Sequence, residues 1–100
     1  MTAPTIKLRP RAEDDLTKIH LYTRREWGVS KANAYIREIH QAFLTLANHR
    51  TAGRDRSEVR PGLRSFSIGS HVIFYQSLSS GVLVVRILHQ MMDYERHLRV

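Results

Sequence analysis

Histidine is the first residue type to consider, because its side chain can bind a metal or move protons near neutral pH. The six histidines are His20, His40, His49, His71, His89 and His97. None of them forms an i,i+4 pair on a predicted helix, and the sequence has neither cysteine nor an HExxH motif. A zinc site is therefore not predicted. GxGxxG, GxxxxGK[ST] and GxSxG are absent as well, so we expect no cofactor and no classical hydrolase or kinase chemistry.

Arginine on the last predicted strand is the sharper signal. In a strand, Leu83, Val85 and Ile87 share one face with His89, and Arg86 lies on the other. If the Leu83 face meets the helices, Arg86 points to the open side of the sheet and could anchor a partner's carboxylate or phosphate. The alternative is that Arg86 pairs with an internal carboxylate or is simply solvated. His89 could transfer protons, although a strand-end histidine is more often structural.

Two further groups of charged residues are either ordinary solvated surface or functional sites. The segment 49–62 carries Arg50, Arg54, Arg56 and Arg60 with acids among them, and no aromatic residue for base stacking lies between Phe43 and Phe66. A solvated loop with local ion pairs is favoured over a nucleic-acid patch. In the tail, Asp93, Glu95 and Arg96 are either a small functional cluster or an ordinary solvated terminus.

Length and composition set the frame for these side chains. The 100 residues fit a single domain spanning 1–100, and 42% hydrophobic with 25% charged residues is typical of a globular protein. The net charge is +7, and 13 of the 16 basic residues are arginine, which indicates an acidic partner. Apolar runs reach only about four residues, so no membrane span or secretory segment is expected. The absence of cysteine is consistent with a reducing cytoplasm.

Periodicity predicts the elements that must position the charged residues. Residues 5–9 alternate as a short strand. A first helix then runs from Arg11 to Trp27, with Ala12, Leu16, Ile19, Thr23 and Trp27 facing inward. Gly28 ends that helix, and Ser30 caps a second helix over 31–48. The apolar stripe of the second helix comprises Ala32, Tyr35, Ile36, Ile39, Phe43 and Leu46. The short connection predicts an antiparallel hairpin.

The second half of the chain has the pattern of a β-meander. Strands are predicted at 63–68, 71–78 and 82–89, with a Gly-first turn at Gly69-Ser70 and a three-residue turn at 79–81. The segment 49–62 is predicted to be a loop, and the tail to add one helical turn. The fold class is α+β in the order β-α-α-β-β-β, with the N-terminal strand and the helical hairpin packed on a small, mostly antiparallel sheet.

This order and three segments resemble the ParE branch of the ParE/RelE toxin superfamily. The segments are LRPRAEDDLTKIHLYTRREWG, RPGLRSFSIGSHVIFYQ and VVRILHQMMDYERHL. The resemblance implies a toxin of a bacterial type II toxin–antitoxin module that inhibits DNA gyrase. It also implies a ParD-like antitoxin with an acidic C-terminal segment, a hetero-oligomeric complex, and operator DNA contacted only through the antitoxin. Within that resemblance, the arginine excess would serve the antitoxin's carboxylates.

Two alternatives remain beside the gyrase inhibitor. A RelE-like ribosome-dependent ribonuclease shares the fold, but its pattern has lysines on the first meander strand, where this chain has Arg64. A small basic nucleic-acid-binding domain is the third interpretation. One departure from the ParE pattern is Met92-Asp93, where ParE-like tails carry an Arg-Asp pair.

The residues expected to matter for toxicity are Arg64, Arg86, His89, Asp93 and Arg96. Those expected to contact the antitoxin are Trp27, Arg50, Arg54, Arg56 and Arg60.

Overall fold

A computed structural model of the chain describes residues 3–98. Its elements are β1 (Thr5–Leu8), α1 (Pro10–Trp27), α2 (Val29–Asn48), β2 (Arg54–Asp55), β3 (Leu63–Ile68), β4 (His71–Leu78), β5 (Gly81–His89) and α3 (Tyr94–Leu98). The helical hairpin α1–α2 packs on one face of a five-stranded sheet, so the predicted α+β class and element order are confirmed.

The two long helices follow each other with only Gly28 between them. α1 begins at Pro10, one residue before the predicted start, because proline is well suited to the first position of a helix. α2 begins at Val29, and the prediction of Ser30 as its N-cap is wrong. Gly28 adopts φ 93° and itself occupies the N-cap position, accepting the N–H of Ala32 at 3.1 Å. A positive φ suits glycine, so the turn needs no side-chain cap.

The apolar stripes of the helices are confirmed except at one end. Ile19 on α1 and Ile39 and Phe43 on α2 are buried, as predicted. Trp27 is 64% exposed, which corrects the prediction that it packs inward. Trp27 ends α1 at the tip of the hairpin. Its ring does not pack in the core but lies against Lys31 of α2, whose Nζ is 5.3 Å from the ring centroid.

The strands are ordered β1-β5-β4-β3-β2, with β1 parallel to β5 and the other pairs antiparallel. The Gly-first turn is confirmed, since Gly69 has φ 56° between β3 and β4. The turn between β4 and β5 has two residues and not the predicted three, because Gly81 already pairs with Leu78. The segment 49–62 is not entirely loop: Arg54 and Asp55 form β2 against β3.

A β-bulge between β4 and β5 decides which way the last strand faces. Phe74 pairs with Arg86 while Tyr75 pairs with Val84, so Val85 is the additional residue. Val84, which precedes the bulge, and Ile87, which follows it, both lie in the core under the helices. The face that carries Leu83, Val85 and Ile87 in a regular strand is therefore divided by the bulge, because Ile87 faces the helices and Val85 faces away from them. The opposite face is also covered, since Val85 is buried in a second cluster. The other members of that cluster include Leu63, Phe74, Leu88 and Leu98.

Candidate binding surfaces

Asp15 and Arg86 form an ion pair at the edge of the sheet. Arg86 Nε donates to Asp15 Oδ2 at 2.8 Å, and a second guanidinium nitrogen donates to Oδ1 at 3.0 Å. The backbone N–H of Ile87 donates to the same carboxylate at 2.9 Å. Side-chain hydrogen bonding to Asp15 raises the pKa of Arg86, so the guanidinium stays charged. Asp15 is therefore the internal carboxylate that the sequence left open as a partner for Arg86, and the anchoring of an external anion by Arg86 stays a prediction.

The local chain path explains why α1 can reach this edge. β1 ends at Leu8, and Arg9 then donates its N–H to the carbonyl of Val84 before the chain turns into α1. Beyond Val84, no strand within residues 3–98 neighbours β5 on this side, so the backbone groups of this part of β5 have no ladder partner there. Asp15 takes the place of that partner for Ile87.

An arginine groove lies on one side of the ion pair. It is lined by Arg9, Pro10, Arg11, Arg60, Val85, Arg86, His97 and Leu98, and its volume is about 350 Å³. Three chain segments distant in sequence meet there: the β1–α1 junction, the end of the 49–62 segment, and β5 with α3. The lining residues comprise four guanidinium groups and one imidazole, with no carboxylate among them. The groove is suited to binding an anion.

An aromatic cleft of about 560 Å³ lies between the hairpin and the β3–β4 turn. Its rings come from Tyr22, Trp27, Tyr35, His71 and His89. The hydroxyl of Tyr35 is 2.6 Å from Nδ1 of His71 and accepts the N–H of Ser70 at 3.1 Å. The rings of His71 and His89 lie edge to face, 5.3 Å apart. The exposed fractions of Tyr22 and Trp27 are 55% and 64%, so large aromatic surface is presented to solvent.

Burial shifts the protonation of the groups at the base of this cleft. Desolvation lowers the pKa of His71, and the neighbouring His89 lowers it further, while Asp15 acts in the opposite direction. Desolvation also raises the pKa of Tyr35. His71 and Tyr35 therefore form a neutral hydrogen-bonded pair at neutral pH.

The ion pair separates the two surfaces. Arg86 lines the arginine groove, whereas Asp15 lines a hollow that also contains Tyr22, His71 and His89 of the aromatic cleft. A single buried contact thus joins the wall of the groove to the wall of the cleft.

Two of the four arginines of the 49–62 segment hold the fold together. Arg50 donates to the carbonyls of Leu78 and Ser79 at 2.6 and 2.7 Å. Arg56 donates to the Ser65 hydroxyl at 2.9 Å, lies over the ring of Tyr94, and forms a long ion pair with Glu58, consistent with the local pairs expected there.

Arg54 and Arg60 differ from these two. Arg54 is exposed on β2, and Arg60 lines the arginine groove. Arg64 on β3 donates to the carbonyl of Gly53 at 2.7 Å, outside the groove.

The tail folds back over the sheet. Tyr94 packs against Phe74, with ring centroids 5.3 Å apart, and accepts a hydrogen bond from Arg56 at 3.2 Å. Leu98 is buried, while Asp93 and Arg96 are exposed. α3 therefore carries His97 to the groove and confirms the expected helical turn.

The structure regroups the residues singled out in the sequence. It brings Arg60 together with Arg86 in the groove, and Trp27 together with His89 in the cleft. Sequence reasoning missed Arg9 and Arg11 in the groove. The signal for them was their place beside Pro10, at the end of a strand, but only the parallel pairing of β1 with β5 puts them next to Arg86. It also missed the Tyr35–His71 pair, which is 36 residues apart in sequence.

Within residues 3–98, no group of three or more histidine, cysteine, aspartate or glutamate side chains could hold a metal ion. In the same range, no helix combines the length and apolar character needed to cross a membrane.

Comparison with known proteins identifies the family. The family model described as the ParE toxin of the type II toxin–antitoxin system parDE matches residues 6–94. The chain belongs to the ParE toxin family of type II toxin–antitoxin systems. Toxin ParE1 of Mycobacterium tuberculosis is 42% identical over 92 residues, which cover 91% of this chain and 94% of the relative. Toxin ParE of Escherichia coli is 39% identical over 87 residues, which cover 86% of this chain and 84% of the relative.

A solved structure has the same fold as this ParE-family toxin. A chain from the chromosomal ParDE system of Pseudomonas aeruginosa superposes with a TM-score of 0.72, covering 87% of this chain and 96% of that one. The identity is 20%, so this likeness concerns the fold.

Proposed function

We propose that this toxin inhibits DNA gyrase in the cytoplasm and has no enzymatic activity of its own. The observation that carries the proposal is the ParE family match over residues 6–94, with ParE relatives at 37–42% identity along about nine-tenths of the chain. Resemblance to the ParE branch implies gyrase as the target. The same resemblance implies that a ParD-like antitoxin neutralises the toxin and that their complex represses its own operon.

The positions of three side chains support gyrase inhibition over RNA cleavage. A ribonuclease needs cations and an acid or base around one phosphate. Arg64, at the place of the nuclease lysines, is turned to the carbonyl of Gly53. Tyr94 is packed between Phe74 and Arg56, and His89 lies in the aromatic cleft. These groups do not converge on the arginine groove.

We propose that the antitoxin binds in the aromatic cleft. Exposed tryptophan and tyrosine side chains are typical anchors of protein interfaces, and Trp27 and Tyr22 present such rings beside Lys31. Lys31 offers a cation to an acidic segment. Arg50, Arg54 and Arg56 remain predicted antitoxin contacts. Arg54 is exposed on the edge strand, whereas Arg50 and Arg56 also donate hydrogen bonds within the fold.

The arginine groove and the tail are the proposed toxicity surface. Arg86 lines the groove, and Arg60, predicted from the sequence as an antitoxin contact, lines it as well, so we propose Arg60 as a target contact too. Asp93 and Arg96 are exposed in the tail that forms one wall of this surface. His89 faces the cleft and becomes a candidate for antitoxin contact as well as toxicity.

A supercoiling assay tests the proposed target. Purified gyrase, relaxed plasmid and increasing toxin should give less supercoiled product and more cleaved DNA, and adding the ParD-like antitoxin should restore supercoiling. If supercoiling is unaffected while ribosome-bound mRNA is cut at codon-phased positions, the chain is a ribonuclease and the gyrase proposal is wrong.

A further inference from the structure

The arginine groove brings four guanidinium groups and one imidazole together, with no carboxylate among its lining residues. Among residues 3–98, Arg86 is the groove arginine with an ion-pair partner, Asp15. Arg9 and Arg11 are exposed, and Arg60 is half-buried. Arg50, in the same segment as Arg60, and Arg64 on β3 donate to backbone carbonyls, so their guanidinium groups are directed at the fold and not at the groove.

The chemistry of the walls distinguishes between two kinds of anionic partner. Protein interfaces are usually anchored by tryptophan, tyrosine and arginine side chains, and no tryptophan, tyrosine or phenylalanine lines this groove, whereas the cleft beyond the ion pair has Tyr22, Trp27 and Tyr35. Nucleic acid needs no aromatic anchor when its phosphates are bound in a duplex, because the bases stay stacked. Single strands are held largely by stacking on successive aromatic rings, and the imidazole of His97 is the single ring among the groove's lining residues.

The groove is also prepared in advance for a phosphate. The Asp15 carboxylate holds the Arg86 guanidinium by two hydrogen bonds, so little side-chain entropy is lost when a ligand arrives. Val85 and Leu98 supply apolar walls between the cations, which suit a sugar ring. A net charge of +7 adds a long-range attraction to any polyanion.

We propose that the arginine groove binds the phosphate backbone of duplex DNA without sequence preference. This inference rests on the proposed function. The duplex that the groove contacts is the DNA bound by gyrase, so the toxin contacts DNA as well as the enzyme. Two to four arginines contact phosphates, and binding by the toxin alone is weak.

Fluorescence anisotropy of a labelled 20-base-pair duplex tests this directly, without gyrase. We expect a Kd of about 10⁻⁵ M, within the range of non-specific DNA binding. The logarithm of affinity should fall with the logarithm of salt concentration with a slope of about −3, since each neutralised phosphate contributes about −0.9. A single strand of the same length should bind several-fold more weakly.

Charge-matched variants locate the contact. Arg9→Gln with Arg60→Gln should weaken duplex binding at least about fivefold and reduce the salt slope by about two. Arg24→Gln with Arg37→Gln removes the same charge from exposed helix positions and should change affinity less than about twofold. Circular dichroism and urea unfolding establish that both double variants are folded.

Four outcomes would overturn the proposal: no duplex binding at 50 mM salt, equal weakening in the two double variants, preference for the single strand, or groove-dependent binding of a hexaglutamate peptide in place of DNA. If the groove binds duplex as expected but supercoiling is untouched, the gyrase proposal fails and the groove assignment stands. If supercoiling is inhibited but the toxin does not bind duplex DNA, the gyrase proposal stands and the groove assignment fails.

Discussion

Asp15 and Arg86 stand 71 residues apart in sequence, and their side chains meet through two hydrogen bonds of 2.8 and 3.0 Å. The Asp15 carboxylate also accepts the N–H of Ile87, at the edge of β5 that β1 leaves unpaired. Because Arg86 lines the arginine groove and Asp15 lines the hollow beside the aromatic cleft, one contact fixes the position of both candidate surfaces.

Replacing Asp15 should strongly destabilise the fold. Asp15→Asn leaves a mostly buried guanidinium without its counter-charge, and such losses cost about 3–5 kcal/mol. Urea unfolding of purified protein measures the free energy of unfolding. The exposed neighbour gives a matched control, since Asp14→Asn should change it by less than about 0.5 kcal/mol. A loss below 1 kcal/mol for Asp15→Asn would mean that the ion pair is not what secures this edge.

The hydroxyl of Tyr75 should stabilise the start of the 49–62 segment. It accepts the N–H of Gly53 and donates to the carbonyl of Arg50, both at 2.9 Å. Tyr75→Phe leaves the buried N–H without its acceptor, so we expect a loss of about 1–3 kcal/mol. Urea unfolding checks the value, and Tyr22→Phe, at an exposed ring, should have almost no effect. Equal effects of the two variants would contradict a specific role for the Tyr75 hydroxyl.

His71 should make stability fall in mild acid. Its pKa is lowered in the folded state by desolvation and by His89, so the unfolded chain binds the proton more readily. Stability is therefore unaffected well above the unfolded value of about 6.5, and it decreases as pH falls through that value toward the lower folded pKa. Tyr35, His89 and Asp15 are the titratable groups that face His71.

Unfolding free energies measured between pH 5 and 8 test this dependence. His71→Gln should flatten the profile below about pH 6.5, whereas His40→Gln, at an exposed helix position, should leave it as in the wild type. A wild-type profile that persists in His71→Gln would assign the acid sensitivity to another group.

Trp27 should matter for the antitoxin and not for the fold. Since its side chain is 64% exposed, Trp27→Ala should change the free energy of unfolding by less than about 0.5 kcal/mol. Loss of an aromatic anchor from a protein interface typically costs at least about 2 kcal/mol, which is about 30-fold in affinity for the ParD-like antitoxin. Titration calorimetry measures the affinity.

Leu44→Ala serves as the control for an exposed apolar residue elsewhere on the hairpin, and it should leave affinity unchanged. Gyrase inhibition by Trp27→Ala should equal that of the wild type. Reduced inhibition with intact antitoxin binding would place Trp27 on the toxicity surface instead.

The sequence alone determined the features that depend on near neighbours along the chain. The helical stripe through Ile39 and Phe43 and the turn at Gly69 follow from periodicity and from glycine's tolerance of positive φ. The family resemblance rested on the same local segments. These patterns are readable because each is complete within a few residues.

Only the tertiary structure decided where the charged side chains point. The bulge at Val85 arises from how β4 and β5 pair, and it breaks the regular alternation, so that Val84 and Ile87 both face the helices while Arg86, paired with Phe74, lies on the opposite face. Parallel pairing of β1 with β5 brings Arg9 beside Arg86, and Asp15 then reaches the free strand edge. Such contacts join residues far apart in sequence, so no local pattern encodes them, and the division of the surface into a groove and a cleft follows from them.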